Sequence, residues 1–151
     1  MAEVMAGEAG NPSSMHAEGR LARELLDQDR SRLAGLLDCE PGQVLFTSGA
    51  TESNNLAIRG MFATDPGLRV NTCAAEHVSV LGTVEALGSE GADTVILGVN
   101  GSARPNLEEL TRLGAKGPTL MALGWANSES GHLSDIDGLL AAKGPGCRLH
   151  L

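Results

Sequence analysis

The sequence predicts an α/β protein with a mostly parallel sheet and helices on both faces. Three observations predict it. Short β-favouring runs alternate with helical patterns from residue 43 to the end. The runs are near-continuously apolar, as strands covered on both faces tend to be. Gly and Pro punctuate the joins, and Gly alone supplies 20 of the 151 residues.

Residues 13–38 read as the longest helix. Ala22, Leu25, Leu26, Leu33, Leu36 and Leu37 recur at three- and four-residue intervals, opposite Arg23, Glu24, Asp27 and Arg30. Ser13 or Ser14, after Pro12, is the expected cap, and "CEPG" (39–42) the stop. "QVLFT" (43–47) reads as a first strand, followed by a helix from about Thr51 to Met61. "LRVNTCA" (68–74) is a second strand and residues 78–87 a helix. "DTVILGV" (93–99) is a third strand, and "PNLEELTRL" (105–113) a helix with Pro105 in its first turn. "PTLMALGWA" (118–126), a helix over 134–143 capped by Ser134, and a fifth strand "CRLHL" (147–151) complete the order.

Composition narrows the function. At 42% hydrophobic residues the chain is long and apolar enough to bury a core, built almost without aromatics. A net charge of −8 without a basic stripe argues against nucleic acid and against an anionic membrane surface. No apolar run reaches 18 residues, and "MAEVMAGEAG" lacks the features of a secretory leader, so a cytoplasmic protein without a membrane span is expected. Cys39, Cys73 and Cys147 form no CxxC, and His16, His77, His132 and His150 form no i,i+4 pair, so no metal site is expected.

The stretch "FTSGATESNNLAIRG" (46–60) runs from apolar residues through a small-residue turn into a helix. In a parallel sheet such turns lie beyond the carboxyl ends of the strands, where ligands bind. Two readings fit the turn alone. Ser48 or Thr51 caps the helix, or the free amides around Gly49–Thr51 receive an anion such as phosphate. No Lys follows, so the nucleotide-binding P-loop pattern is not met, and no glycine fingerprint for a dinucleotide is present.

Four motifs occur in order: "GNPSSMHAEG" (10–19), "FTSGATESNNLAIRG" (46–60), "EHVSVL" (76–81) and "ANSESGHLSDI" (126–136). Together they resemble the cysteine desulfurases of the class V aminotransferase group, from about residue 10 to 151. The resemblance implies part of the large domain of a fold-type I transferase that uses pyridoxal 5′-phosphate (PLP). It places the cofactor phosphate on Ala50 and Thr51, favouring the phosphate reading of the turn. It places a ring-stacking imidazole at His77, which is thereby both the cofactor-binding and the catalytic candidate. Where the family usually has Asn-Asn-Glu, this chain has Asn127-Ser128-Glu129, so the contact to the ring's phenolic oxygen falls on the shorter Ser128. Asn127 and Glu129 match in supporting roles, and His16 matches at a turn.

The resemblance also implies L-cysteine as substrate, a persulfide and alanine as products, a homodimer and a sulfur-acceptor protein. The family's cofactor-linking Lys, its pyridine-nitrogen Asp and its nucleophilic Cys find no match here. Lys116, Lys143 and the three cysteines lie elsewhere in the pattern. Residues 1–151 therefore read as an internal portion of the cofactor domain, without the N-terminal strand, the lysine region or the small domain. The alternatives are a non-catalytic chain and another class V enzyme such as a selenocysteine lyase.

Overall fold

A computed structural model describes residue 7, residues 10–101 and residues 105–151. Most of "MAEVMAGEAG" (1–10) lies outside these residues. The chain divides into two units, Met1–Phe46 and Thr47–Leu151.

The first unit holds helix α1 (Ala17–Leu37) and a 3-10 turn (Pro41–Gln43). The helix starts later than the apolar pattern suggests. His16, not Ser13 or Ser14, is its cap, with Nδ1 accepting the Gly19 amide. Ser13 instead donates its amide to Asn11 Oδ1, and the Ser14 amide reaches Asn11 O, which closes a separate turn. At the other end Asp38 sits at φ 51°, and the Cys39 amide returns to Ala34 O. The leucine stripe covers little: only Gly19 and Ala34 of the helix are buried, while Leu36 and Leu37 are 82% and 67% exposed.

The expected strand at 43–47 is not formed. Val44 is extended, but extended backbone becomes a strand only by pairing, and no ladder among the described residues includes it. Its carbonyl accepts Arg30 Nε instead, and the Arg30 guanidinium lies 5.3 Å from the Phe46 ring centroid.

The second unit carries helices α2 (Ala50–Thr64), α3 (Val78–Ser89), α4 (Leu107–Gly114) and α5 (Ile136–Ala142), interleaved with strands β1 (Arg69–Cys73), β2 (Thr94–Leu97), β3 (Thr119–Ala122) and β4 (Cys147–His150). The sheet has four strands in the order β2-β1-β3-β4, and every pairing is parallel. Register is set by pairs such as Val70↔Thr94, Val70↔Leu120 and Leu120↔Arg148.

Side-chain alternation sends successive strand residues to opposite faces. Val70, Leu120 and Ala122 pack with Ile58 of α2 and Val80, Val84 and Leu87 of α3. Cys73, Leu97, Met121 and Cys147 pack with Leu110 and Leu113 of α4 and Leu139 of α5. Helices thus cover both faces, as the sequence predicts. Two caps differ from expectation. Asn106 rather than Pro105 opens α4, because its side-chain oxygen serves the Glu108 and Glu109 amides. Asp135 opens α5 by accepting the Gly138 amide, while Ser134 Oγ turns to Gly124 O.

The centre of β1 carries a cost. Asn71 and Thr72 are fully buried, and Asn71 Nδ2 and Oδ1 and Thr72 Oγ1 have no partner among the described residues. A buried polar group without a hydrogen bond costs about 1–3 kcal/mol. Asn71→Leu, nearly the same shape, is expected to raise the unfolding free energy read from urea melts by about that much, whereas Leu120→Ala lowers it by about 3 kcal/mol.

Candidate cofactor site

The parallel sheet brings the carboxyl ends of all four strands to one edge, and the loops leaving β1 and β3 carry His77 and Ser128. Ala50 is the first residue of α2 and Thr51 the second. Gly49 is the N-cap, extended, and no side chain caps this helix; among the described residues the other α-helices are each capped by one. Neither Ser48 nor Thr51 takes that role. Ser48 donates both its amide and its hydroxyl to the Glu52 carboxylate, at 2.7 and 2.6 Å. These bonds hold the Glu52 carboxyl below its ordinary pKa, the hydroxyl contributing most. The first amide of the helix to find a backbone acceptor is Ser53, on Gly49 O at 3.1 Å. The amides of Ala50, Thr51 and Glu52 are left pointing out with the positive end of the helix. A Cβ built on Gly49 would meet nothing within 4 Å, so the space in front of the turn is open.

His77 is the N-cap of α3, at the end of the loop leaving β1. Its Nδ1 accepts the Ser79 amide at 3.1 Å and lies 2.9 Å from Ser79 Oγ. Two bonds fix the loop that carries it. Glu76 Oε1 accepts the Gly124 amide beyond β3 at 2.9 Å, and a side chain at Gly124 would press on Glu76 Oε2 at the same distance. Asn127 Nδ2 donates to Ala75 O at 2.6 Å. Asn127 Oδ1 meanwhile accepts the amides of Glu129 and Ser130, shaping the 127–130 turn. Ser128 sits exposed in that turn.

The two halves of the site are joined by Asn54, one turn into α2. Asn54 Nδ2 donates to Ser79 Oγ at 2.9 Å, and Asn54 Oδ1 accepts from His150 Nε2 at 2.9 Å. Thr83 Oγ1 adds a bond to Asn55 Oδ1, and Thr51, Asn55, Val78, Ser79 and Thr83 line one shallow groove between α2 and α3. Ala50–Thr51 and His77 therefore open neighbouring helices on one edge of the sheet.

Asn54, Glu76, Ser79 and His150 were not among the residues expected to matter. The signal was present, since Asn54 lies in "SGATESNN" and Glu76 and Ser79 flank His77 in "EHVS". His150 gave none, because a histidine at the end of a strand reads as packing.

The lysines and thiols lie elsewhere. Lys116 leads into β3, and Lys143 follows α5 ahead of β4, which puts both before the amino ends of strands. Burial pushes the Cys73 thiol up to about 11 and raises that of Cys147 as well, which disfavours the reactive thiolate.

Residues 1–151 match the family profile "Aminotransferase class-V". The chain belongs to that family. It is 39% identical over 130 residues to the cysteine desulfurase IscS of Neisseria meningitidis, covering 84% of this chain and 32% of that protein. Against the IscS of Tolumonas auensis it is 37% identical over 145 residues, covering 94% and 35%. Among solved structures, a "NifS-like protein" superposes with a TM-score of 0.86 at 27% identity, over 99% of this chain and 42% of that one. DndA from Streptomyces lividans gives 0.78 at 30% identity, over 99% and 43%. The chain spans about a third of the length of the curated relatives it matches. The class V fold is a parallel sheet layered with helices, as seen here. Among the described residues no helix is long and apolar enough to cross a membrane.

One titration follows from the site. Burial lowers the His150 pKa from its ordinary 6.5, partly opposed by the Glu76 charge. The unfolded chain then takes up this proton before the folded one does, so stability falls as pH drops below 6.5 towards the folded value and is flat above. Urea midpoints at pH about 7.5 and about 5.5 are expected to differ more for the parent protein than for His150→Gln. Equal losses would assign the acid sensitivity to other groups.

Proposed function

We propose that this chain supplies the cofactor-binding face of a PLP-dependent cysteine desulfurase. The observation that carries the reading is the open start of α2. Three outward amides and the Thr51 hydroxyl suit a doubly charged phosphate ester, and the place a side-chain cap would fill is empty. The donor set therefore fits the phosphate of PLP, with Ala50 and Thr51 as its holders. His77, opening the neighbouring helix, offers a flat face to the pyridine ring. Ser128 is the candidate for the ring's phenolic oxygen, and its exposure leaves room for a water between them.

When bound, PLP supplies an electron sink for an amino acid substrate. The protein's own residues orient it: the α2 amides anchor one end, and the β1–α3 loop, held by Glu76 and Asn127, sets the plane of the other. For the whole protein the reading is transfer of sulfur from L-cysteine to an enzyme thiol as a persulfide, with alanine released. The desulfurase names of the relatives support this substrate. Cys73 and Cys147, buried and hard to ionise, are unsuited to receive the sulfur. The proposal extends to a homodimer in the cytoplasm that passes sulfur to an acceptor protein.

Absorbance titration with PLP tests the assignment. Thr51→Val and His77→Ala are each expected to weaken binding about tenfold, the loss of roughly one charge-assisted hydrogen bond or one ring contact. Borohydride treatment of the chain with PLP is expected to trap nothing at Lys116 or Lys143. Unchanged affinity in both variants, or stoichiometric trapping at either lysine, would contradict the reading.

A further inference from the structure

The hydrogen bonds behind His77 have a direction, and the Ser79 amide fixes it at the His77 end. The Ser79 amide can only donate, so His77 Nδ1 is the unprotonated ring nitrogen and Nε2 carries the hydrogen. Asn54 Oδ1 can only accept, so His150 Nε2 is a donor. Between them, Asn54 Nδ2 donates to Ser79 Oγ, which leaves the serine hydroxyl hydrogen for His77 Nδ1. Donors point one way throughout, from His150 to Asn54 to Ser79 to His77.

Reversal of the Asn54 amide would break this order. The amide nitrogen would then face His150 Nε2, and the oxygen would draw the Ser79 hydroxyl away from His77. Ser79 Oγ would then turn its lone pairs on Nδ1 and weaken the preference that the Ser79 amide sets. An N–H on His150 Nε2 facing the amide oxygen, and a Ser79 hydroxyl turned to His77, favour the same Asn54 orientation together.

We propose that Asn54 and His150 are positioning residues that, through the Ser79 hydroxyl, reinforce the neutral Nε2–H tautomer of His77 that the Ser79 amide sets. This rests on the reading of His77 as the wall against the cofactor ring. An uncharged imidazole packs against a protonated pyridine without the repulsion that an imidazolium would bring. Burial supports the arrangement, since Ser79 is buried, His150 is half-buried, and the lowered His150 pKa keeps that ring neutral.

Nitrogen NMR of the histidine rings, recorded on the protein without added ligand, tests the proposal. The parent protein is expected to show His77 Nδ1 unprotonated and Nε2 bearing hydrogen. Asn54→Asp offers two acceptors and no donor, so it draws the Ser79 hydroxyl and is expected to raise the His77 Nδ1–H population about five-fold. In a Ser79→Ala background the same change is expected to leave the His77 ratio alone, because the route is removed. Should Asn54→Asp fail to fold, His150→Phe frees the Asn54 amide to turn and is expected to raise the same population. A protonated Nδ1 in the parent, an unchanged ratio in the folded variants, or a shift that persists without the Ser79 hydroxyl would overturn the proposal. A separate PLP titration distinguishes the two readings: an Nε2–H ring in a protein that does not bind PLP supports the hydrogen-bond order and overturns only the ligand assigned to it.

Discussion

Everything in the second unit depends on the sheet being parallel throughout. Parallel strands joined through helices deliver each new helix start to the same edge, the one where the strands end. His77 opens α3 there directly after β1, and α2, which no described strand precedes, is tied to the same edge by the Asn54 bonds to Ser79 and His150. The loop after β3 reaches the same edge, and Gly124 and Asn127 hold the loop before His77. An antiparallel arrangement of the same elements would scatter these groups to both ends.

The edge is also where the structure leaves hydrogen-bonding capacity unused. Most helix starts in this chain are closed by a side chain, but α2 is not. The nearest carboxylate, Glu52, is drawn to Ser48 rather than over the first-turn amides. An uncapped helix start forgoes about 1 kcal/mol of stability, and three outward amides gain their value when an anion arrives. Asn54 then couples this start to the next helix and to the last strand, which ties the Gly49–Thr51 turn to the His77 loop.

Much of this was legible in the residues. The strand and helix order of the second unit follows from β-branched runs such as "TVIL" and the spacing of Val80, Val84 and Leu87. The "SGATE" turn and the "EH" pair were singled out through the family resemblance of the four ordered motifs, since each alone also reads as an ordinary helix start. What was not legible depended on partners far away in the chain. "QVLFT" has strand composition, but composition does not supply a neighbour to pair with. Ser134 and Ser13 have cap chemistry, but Asp135 and His16 lie one to three residues nearer the helices that form. Asn54 and His150 are 96 residues apart, and nothing local announces that their side chains meet. The leucine stripe of α1 predicts the helix well, and its exposure shows that a stripe identifies a helix before it identifies what covers it.

The central claim is that the amides opening α2 receive the phosphate of a flat cofactor whose ring lies against His77. Backbone amide NMR during addition of pyridoxal 5′-phosphate, compared with pyridoxal lacking the phosphate, tests it most directly. The account predicts that the phosphate ester shifts the amides of Ala50, Thr51 and Glu52 together with the His77 ring, while pyridoxal leaves the three amides in place. Shifts confined to other parts of the chain, or equal effects of the two compounds on those amides, would contradict it.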